Sequence, residues 1–203
     1  MAGIQIDGVN NKIDFDDDLD TSISANTDDT LVIEAGGNTM ATITATTLTI
    51  NDGTTITTAD NTDNLTLKST DTDANIGPNL RLYRAVAGAA SDAIGTIDWA
   101  AQDVAGNLQD YASAAVTITD ATDGSEDATL TLKVMNAGSL NQMLTISGPE
   151  TVVNEGSKDH DFRVESNGNA NMLMVNGGND RVGVGTASPA TALDVNGTAT
   201  VGA

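Results

Sequence analysis

Apolar and β-branched residues recur in pairs two positions apart. Leu31 and Ile33, Met40 and Thr42, Leu48 and Ile50, and Leu65 and Leu67 do so early in the chain; Phe162 and Val164, Leu173 and Val175, Val182 and Val184, and Leu193 and Val195 do so late. A period of two places both members of a pair on one face of a strand, so the pattern predicts strands of four or five residues. Turn-forming clusters separate the pairs: Gly36-Gly37-Asn38, Asn51-Asp52-Gly53, Asp60-Asn61 and Asn196-Gly197. Thr198 to Val201 is read as one more short strand after the last of these. No window of a dozen residues combines helical apolar spacing with freedom from Gly and β-branched runs, so no helix is expected.

Three parts follow from this reading. Residues 1–76 form a ladder of short strands, a loose repeat whose pairs lie roughly 8 to 17 residues apart. Residues 77–149 offer longer candidates at Asn79–Arg84, Ala93–Trp99, Tyr111–Thr119, Ala128–Met135 and Gln142–Ser147, which predict a small antiparallel sandwich. Residues 150–203 return to short, glycine-punctuated strands.

Composition changes the picture in one respect. The chain has 203 residues, with 29 threonines and 20 glycines but only five aromatic side chains: Phe15, Tyr83, Trp99, Tyr111 and Phe162. Threonine suits a pleated surface, yet large side chains to fill a thick core are missing. Strands this short bury little within one chain. Three copies wound about a common axis would let each Ile or Leu face two copies of itself. The expected fold class is therefore all-β: an elongated homotrimeric fibre with interleaved strands, a β-helix-like or β-prism-like stem, and a sandwich-like middle module.

Eight basic residues stand against 29 acidic ones, a formal charge of −21. Such a surface repels nucleic-acid phosphates and anionic membranes, and no apolar run approaches the roughly 20 residues of a membrane span. The period of two argues against a disordered acidic tail. Cysteine is absent, which removes disulfides and thiolate metal sites and leaves oligomerisation as the source of extra stability. The N-terminal residues show no basic and apolar signal pattern, so no secretory leader is expected.

The segment Asn179 to Gly202, NDRVGVGTASPATALDVNGTATVG, resembles the "RVGIGT-x-SP…LDVNG" module of bacteriophage tail fibres and virion appendage proteins of marine phages. GPNLRLYRA (Gly77 to Ala85), GTIDW (Gly95 to Trp99), ITDATDGSEDATLTL (Ile118 to Leu132) and DFRVESNGNANMLMVNGGNDRVGVGT (Asp161 to Thr186) resemble segments of the same proteins in the same order. The resemblance covers most of the chain from Asp63 onward. It implies a structural protein of the virion, assembled in the host cytoplasm: a trimeric tail fibre whose partners are other phage tail or capsid proteins and a host-surface glycan or receptor. A capsid-decorating head fibre, a polysaccharide-depolymerising tailspike and a bacterial surface adhesin are the alternatives. In relatives that carry one, a self-cleaving chaperone follows this module.

Candidate chemistry is sparse. Asp14, Asp16, Asp17, Asp18 and Asp20 open like a calcium loop, but Leu19 stands where glycine is needed and Ala25 where a bidentate glutamate is needed, so a solvated acidic face is preferred to a weak Ca²⁺ or Mg²⁺ site. Gly177-Gly178-Asn179-Asp180 is read as a hairpin turn, since it lacks the repeat of a calcium-binding nonapeptide. His160, between Asp159 and Asp161, is read as a surface-loop residue and not as part of a triad, because no nucleophile elbow accompanies it. Trp99, Tyr83 and Tyr111 could stack on a sugar and are read first as the core of the middle module. Gly36-Gly37 lacks the Lys-Ser/Thr of a phosphate loop. No catalytic, cofactor-binding or metal-ligating residue is assigned, no cofactor is expected, and the chain is expected not to be an enzyme.

Overall fold

The computed structural model describes residues 5–15, 19–51, 53–59, 62–200 and 202. The chain forms two compact units, Met1–Asn79 and Leu80–Ala203. Among the described residues every regular element is a strand, and the strands form three sheets, none closed into a barrel.

The first unit holds a six-stranded antiparallel meander of β1 (Gln5–Asp7), β2 (Lys12–Asp14), β3 (Ser22–Thr27), β4 (Thr30–Ala35), β5 (Asn38–Ile43) and β6 (Leu48–Ile50). Gly36 and Gly37 join β4 to β5 with φ of 58° and 72°, the two positive values that a two-residue type I′ hairpin demands. The register aligns Ile6, Ile13, Ile23, Ile33, Ala41 and Ile50 in one row across all six strands. Leu31, Ile43 and Leu48 form a second row two residues away and therefore on the same face. The other face carries Asp14, Ser22 and Glu34 in one row and Lys12, Ser24, Val32, Thr42 and Thr49 in another.

The second unit holds two sheets. β7 (Ala93–Gln102), β8 (Leu108–Asp120), β9 (Asp127–Asn136), β10 (Ser139–Ile146) and β11 (Thr151–Val153) make an antiparallel meander. Its register places Ile97, Ala114, Leu132, Leu144 and Val153 in one row, Trp99, Ala112 and Val134 in the next, and Val116, Leu130 and Ile146 on the other side. The opposite face holds Thr96, Ala115, Thr131 and Thr145, with Asp98, Ser113, Lys133 and Gln142 beside them. Four of the five strands expected here form. Asn79–Arg84 does not, and neither does the Leu65–Leu67 pair. Among the described residues no sheet extends its hydrogen bonding to either segment.

The last sheet is β12 (Phe162–Val164), β13 (Leu173–Asn176), β14 (Arg181–Val184) and β15 (Leu193–Val195), antiparallel except for the β14–β15 pair. Every late apolar pair read from the sequence falls in one of these strands. Thr198 to Thr200 adds no further strand, and Val201 lies outside the described residues.

The middle module is one sheet and not a two-layer sandwich within the chain, which corrects the sequence expectation. Five strands in a meander make a single layer. Among the described residues the buried apolar side chains are only Ala41, Met174 and Pro189, while Asp14, Ser22, Ser24 and Ser113 are buried polar ones.

Candidate functional site

The dominant surface feature is a set of three largely uncovered apolar faces; the middle one is partly overlaid, by Leu82 against Gly95 and Gly88 against Ile118. In the first sheet Ile6 is 78 % exposed, and Ile13, Leu31, Ile43, Leu48 and Ile50 are exposed as well, whereas Ser22 on the opposite face is 1 % exposed. The polar face is closed by its own chemistry. The Ser22 hydroxyl donates to Glu34 Oε2 at 2.8 Å, Lys12 Nζ pairs with Asp14 Oδ1 at 2.7 Å, and the same ammonium donates to the Leu19 carbonyl at 2.9 Å. In the middle sheet Ile97, Trp99, Leu132, Val134, Ile146 and Val153 are exposed on one face.

The last sheet repeats the arrangement. Phe162, Val175, Val182 and Leu193 align in one row and Val164, Leu173, Val184 and Val195 in the next, all on one face that leaves Phe162, Val164, Val175, Val184 and Leu193 exposed. Its other face carries Met174 beside Gly183 and is covered by the chain that follows β14. A Cβ on Gly183 would stand 2.7 Å from the Thr186 carbonyl oxygen, and one on Gly185, whose φ is +73°, would stand 3.1 Å from the Asn196 carbonyl oxygen. Arg181 Nη1 holds the covering loop by donating to the Pro189 carbonyl at 2.9 Å, and Asp194 Oδ2 accepts the Ala190 amide at 2.9 Å.

The acidic residues serve largely as turn formers. Asp7 accepts the amides of Val9 and Asn10, Asp103 those of Ala105 and Asn107, Asp120 that of Thr122, and Asp161 that of Gly177. Four carboxyls lie below the usual aspartate range as a result. The cause is the Asn10 side chain and the neighbouring amides for Asp7, and the Ala89 amide followed by the Arg84 guanidinium for Asp92. For Asp103 it is the Asn107 amide and side chain, and for Asp120 its bonds to Thr122. A further Asx ladder runs from Ser69 through Asp71 and Asp73 to Asn75, bordering a small polar hollow of about 190 Å³.

The residues singled out from sequence fall apart as a site. Asp16, Asp17 and Asp18 lie outside the described residues. Asp14 is 5 % exposed and ion-paired, so the solvated acidic face does not hold there: strand β2 turns this carboxylate onto the polar face beneath Lys12. No group of three or more acid, histidine or cysteine side chains stands together among the described residues. Gly177 to Asp180 forms the β13–β14 turn, and a Cβ on Gly177 would meet the His160 carbonyl at 2.5 Å. His160 is half-buried beside this turn, and Asp161 is engaged by the Gly177 amide. Tyr83, Trp99 and Tyr111 form no core: all three are exposed, because a single layer offers nothing to cover them. Tyr111 instead borders an open groove of about 430 Å³ with Asp103, Gln109, Met135 and Gly138.

Sequence reasoning missed the face-to-face register that assembles the isoleucine row. Ile6 and Ile13 each have a large apolar residue two positions away, Ile4 and Phe15, so those pairs were legible but went unread, whereas Ile23 has none. No protein-family model matches the chain, and no curated protein matches it.

Proposed function

We propose that this chain is a non-enzymatic structural protein of a bacteriophage virion, a homotrimeric tail fibre that projects from the particle and contacts the host surface. The observation that carries the oligomeric part is the set of three amphipathic sheets, each with a mostly apolar face left largely open. Burial of such faces is the main driving force for association, and a stable interface needs only about 800 Å² from each partner. Threefold packing of identical sheets, apolar faces inward, closes all three surfaces with small side chains. It supplies the second layer that the middle sheet lacks, and it leaves the acidic turns outside, where their repulsion keeps particles apart.

The virion part rests on the resemblance of the segments from Gly77 to Gly202 to phage fibre proteins. The fibre's partners are then tail or capsid proteins at one end and the host surface along its exposed side. Light scattering on the purified protein should return about three times 20.7 kDa; a monodisperse monomer overturns the fibre reading. Immunogold labelling of intact particles with antibody to this chain should decorate the tail, and decoration of the head instead would replace the tail fibre with a head fibre.

A further inference from the structure

We infer that the groove beside Tyr111 binds a neutral hexopyranose ring. The inference deepens the host-contact reading and rests on it, since it names the chemistry that the fibre would meet on the host. The apolar face of the middle sheet is reserved for association, so a site for an outside partner belongs on the opposite face. That face is polar along Thr96, Asp98, Ser113, Thr131 and Lys133. Met135 continues it, two residues beyond Lys133. At this end Tyr111, 43 % exposed, borders the groove together with Met135, Gln109 and Asp103.

An exposed aromatic beside planar polar groups is what a sugar requires. The ring presents C–H bonds on its faces, which stack on an aromatic, and hydroxyls at its rim, which need donors and acceptors. Gln109 supplies both from one amide. Asp103 Oδ2 accepts Asn107 Nδ2 at 3.1 Å and has a second lone pair to offer a hydroxyl, while its Oδ1 accepts the amides of Ala105 and Asn107. These bonds fix the carboxylate in place and keep it charged. A fixed negative charge at the groove, on a chain of net charge −21, selects against uronic and sialic acids and in favour of neutral sugars.

Saturation-transfer NMR on the assembled protein, with glucose, galactose and N-acetylglucosamine as probes and glucuronate as the anionic control, tests this. At least one neutral sugar should receive transfer at its ring C–H protons. Affinity should fall about tenfold in Tyr111→Ala and be largely kept in Tyr111→Phe. Glucuronate should bind at least about tenfold more weakly than that neutral sugar. No transfer to any neutral sugar, binding unchanged in Tyr111→Ala, or equal binding of glucuronate overturns the inference. If Tyr111→Ala fails to assemble, Gln109→Ala decides in its place, and unchanged binding there overturns the inference as well. The outcome is separable from that of the fibre reading. A trimer that binds no sugar defeats only the groove, and a monomer that binds one through Tyr111 defeats only the fibre.

Discussion

Ser22 and Glu34 face each other across β3 and β4, with the hydroxyl donating to the carboxylate at 2.8 Å and the serine withdrawn from water. Their neighbours in sequence, Ile23 and Ile33, form the adjacent pair on the opposite face. The polar side of the sheet is thus satisfied by groups of the same chain, and the apolar side is the one left largely exposed.

Charge placed on the two faces should therefore have opposite fates. Ile50→Asp sets a carboxylate in the isoleucine row, where threefold packing would bring three copies together in a dry interior, and burying unpaired charge costs several kcal/mol per ion. Thr49→Asp points to the polar face. Sedimentation should show Ile50→Asp as dissociated or aggregated and Thr49→Asp with native mass. The reverse result would mean that the packing face is misassigned.

Gly183 is the most constrained of the glycines in the RVGVGT segment. A methyl group there meets the Thr186 carbonyl at 2.7 Å, so Gly183→Ala should destabilise by about 1–3 kcal/mol through overpacking. Gly168→Ala, with nothing within 4 Å, should stay within about 0.5 kcal/mol of the parent. Denaturant titration of both variants separates the packing effect from a general intolerance of side chains at glycine.

Arg181 ties the 186–192 loop to β14 through Pro189. A hydrogen bond with one charged partner is worth about 1.5–3 kcal/mol, so Arg181→Ala should lose roughly that much. The loss should appear first as faster amide exchange at Val182, whose N–H bonds to the Ala192 carbonyl. Unchanged exchange there would show that Asp194 and the β14–β15 pairing hold the loop unaided.

Acid should act through the turn-forming aspartates. Asp7, Asp92, Asp103 and Asp120 have carboxyls depressed in the folded state, so each contributes stability that is present above the unfolded value of about 4. That stability is lost as pH falls from there through the lower folded value. Melting temperature should decline below about pH 4, and Asp103→Asn, which cannot titrate, should flatten the decline. An identical slope in that variant would remove Asp103 from the account.

Salt tests the repulsion between chains. Each copy carries −21, and the screening length falls from about 8 Å at 0.15 M to about 3 Å at 1 M. The assembled form should melt higher in concentrated NaCl than in dilute buffer. Ca²⁺ at matched ionic strength should add a further rise only if the residues around Asp14 to Asp20 hold a cation.

Strand positions were legible wherever two apolar residues alternate with polar ones, as at Leu173 and Val175 or Val182 and Val184, because local period alone sets the face. Leu65 and Leu67 show the limit of that rule: the alternation is present but no sheet edge receives it. The three exposed aromatics show another, since whether Trp99 is core depends on a layer that one chain does not contain. The groove at Tyr111 arises from the meeting of the β7–β8 and β9–β10 turns, residues 103 and 138, and only the register brings those together.

In the first two sheets each strand pairs only with its nearest neighbours in sequence. Contacts of such short range form early, on the microsecond to millisecond scale, and need no distant segment to arrive. A newly made chain can therefore complete both meanders alone; in the trimer proposed above it would then wait, with their apolar faces displayed, for copies that arrive at a rate set by concentration. For such a trimer the vulnerable interval would fall after the strands have paired and before the faces have met, so its yield should be governed by encounter and not by folding.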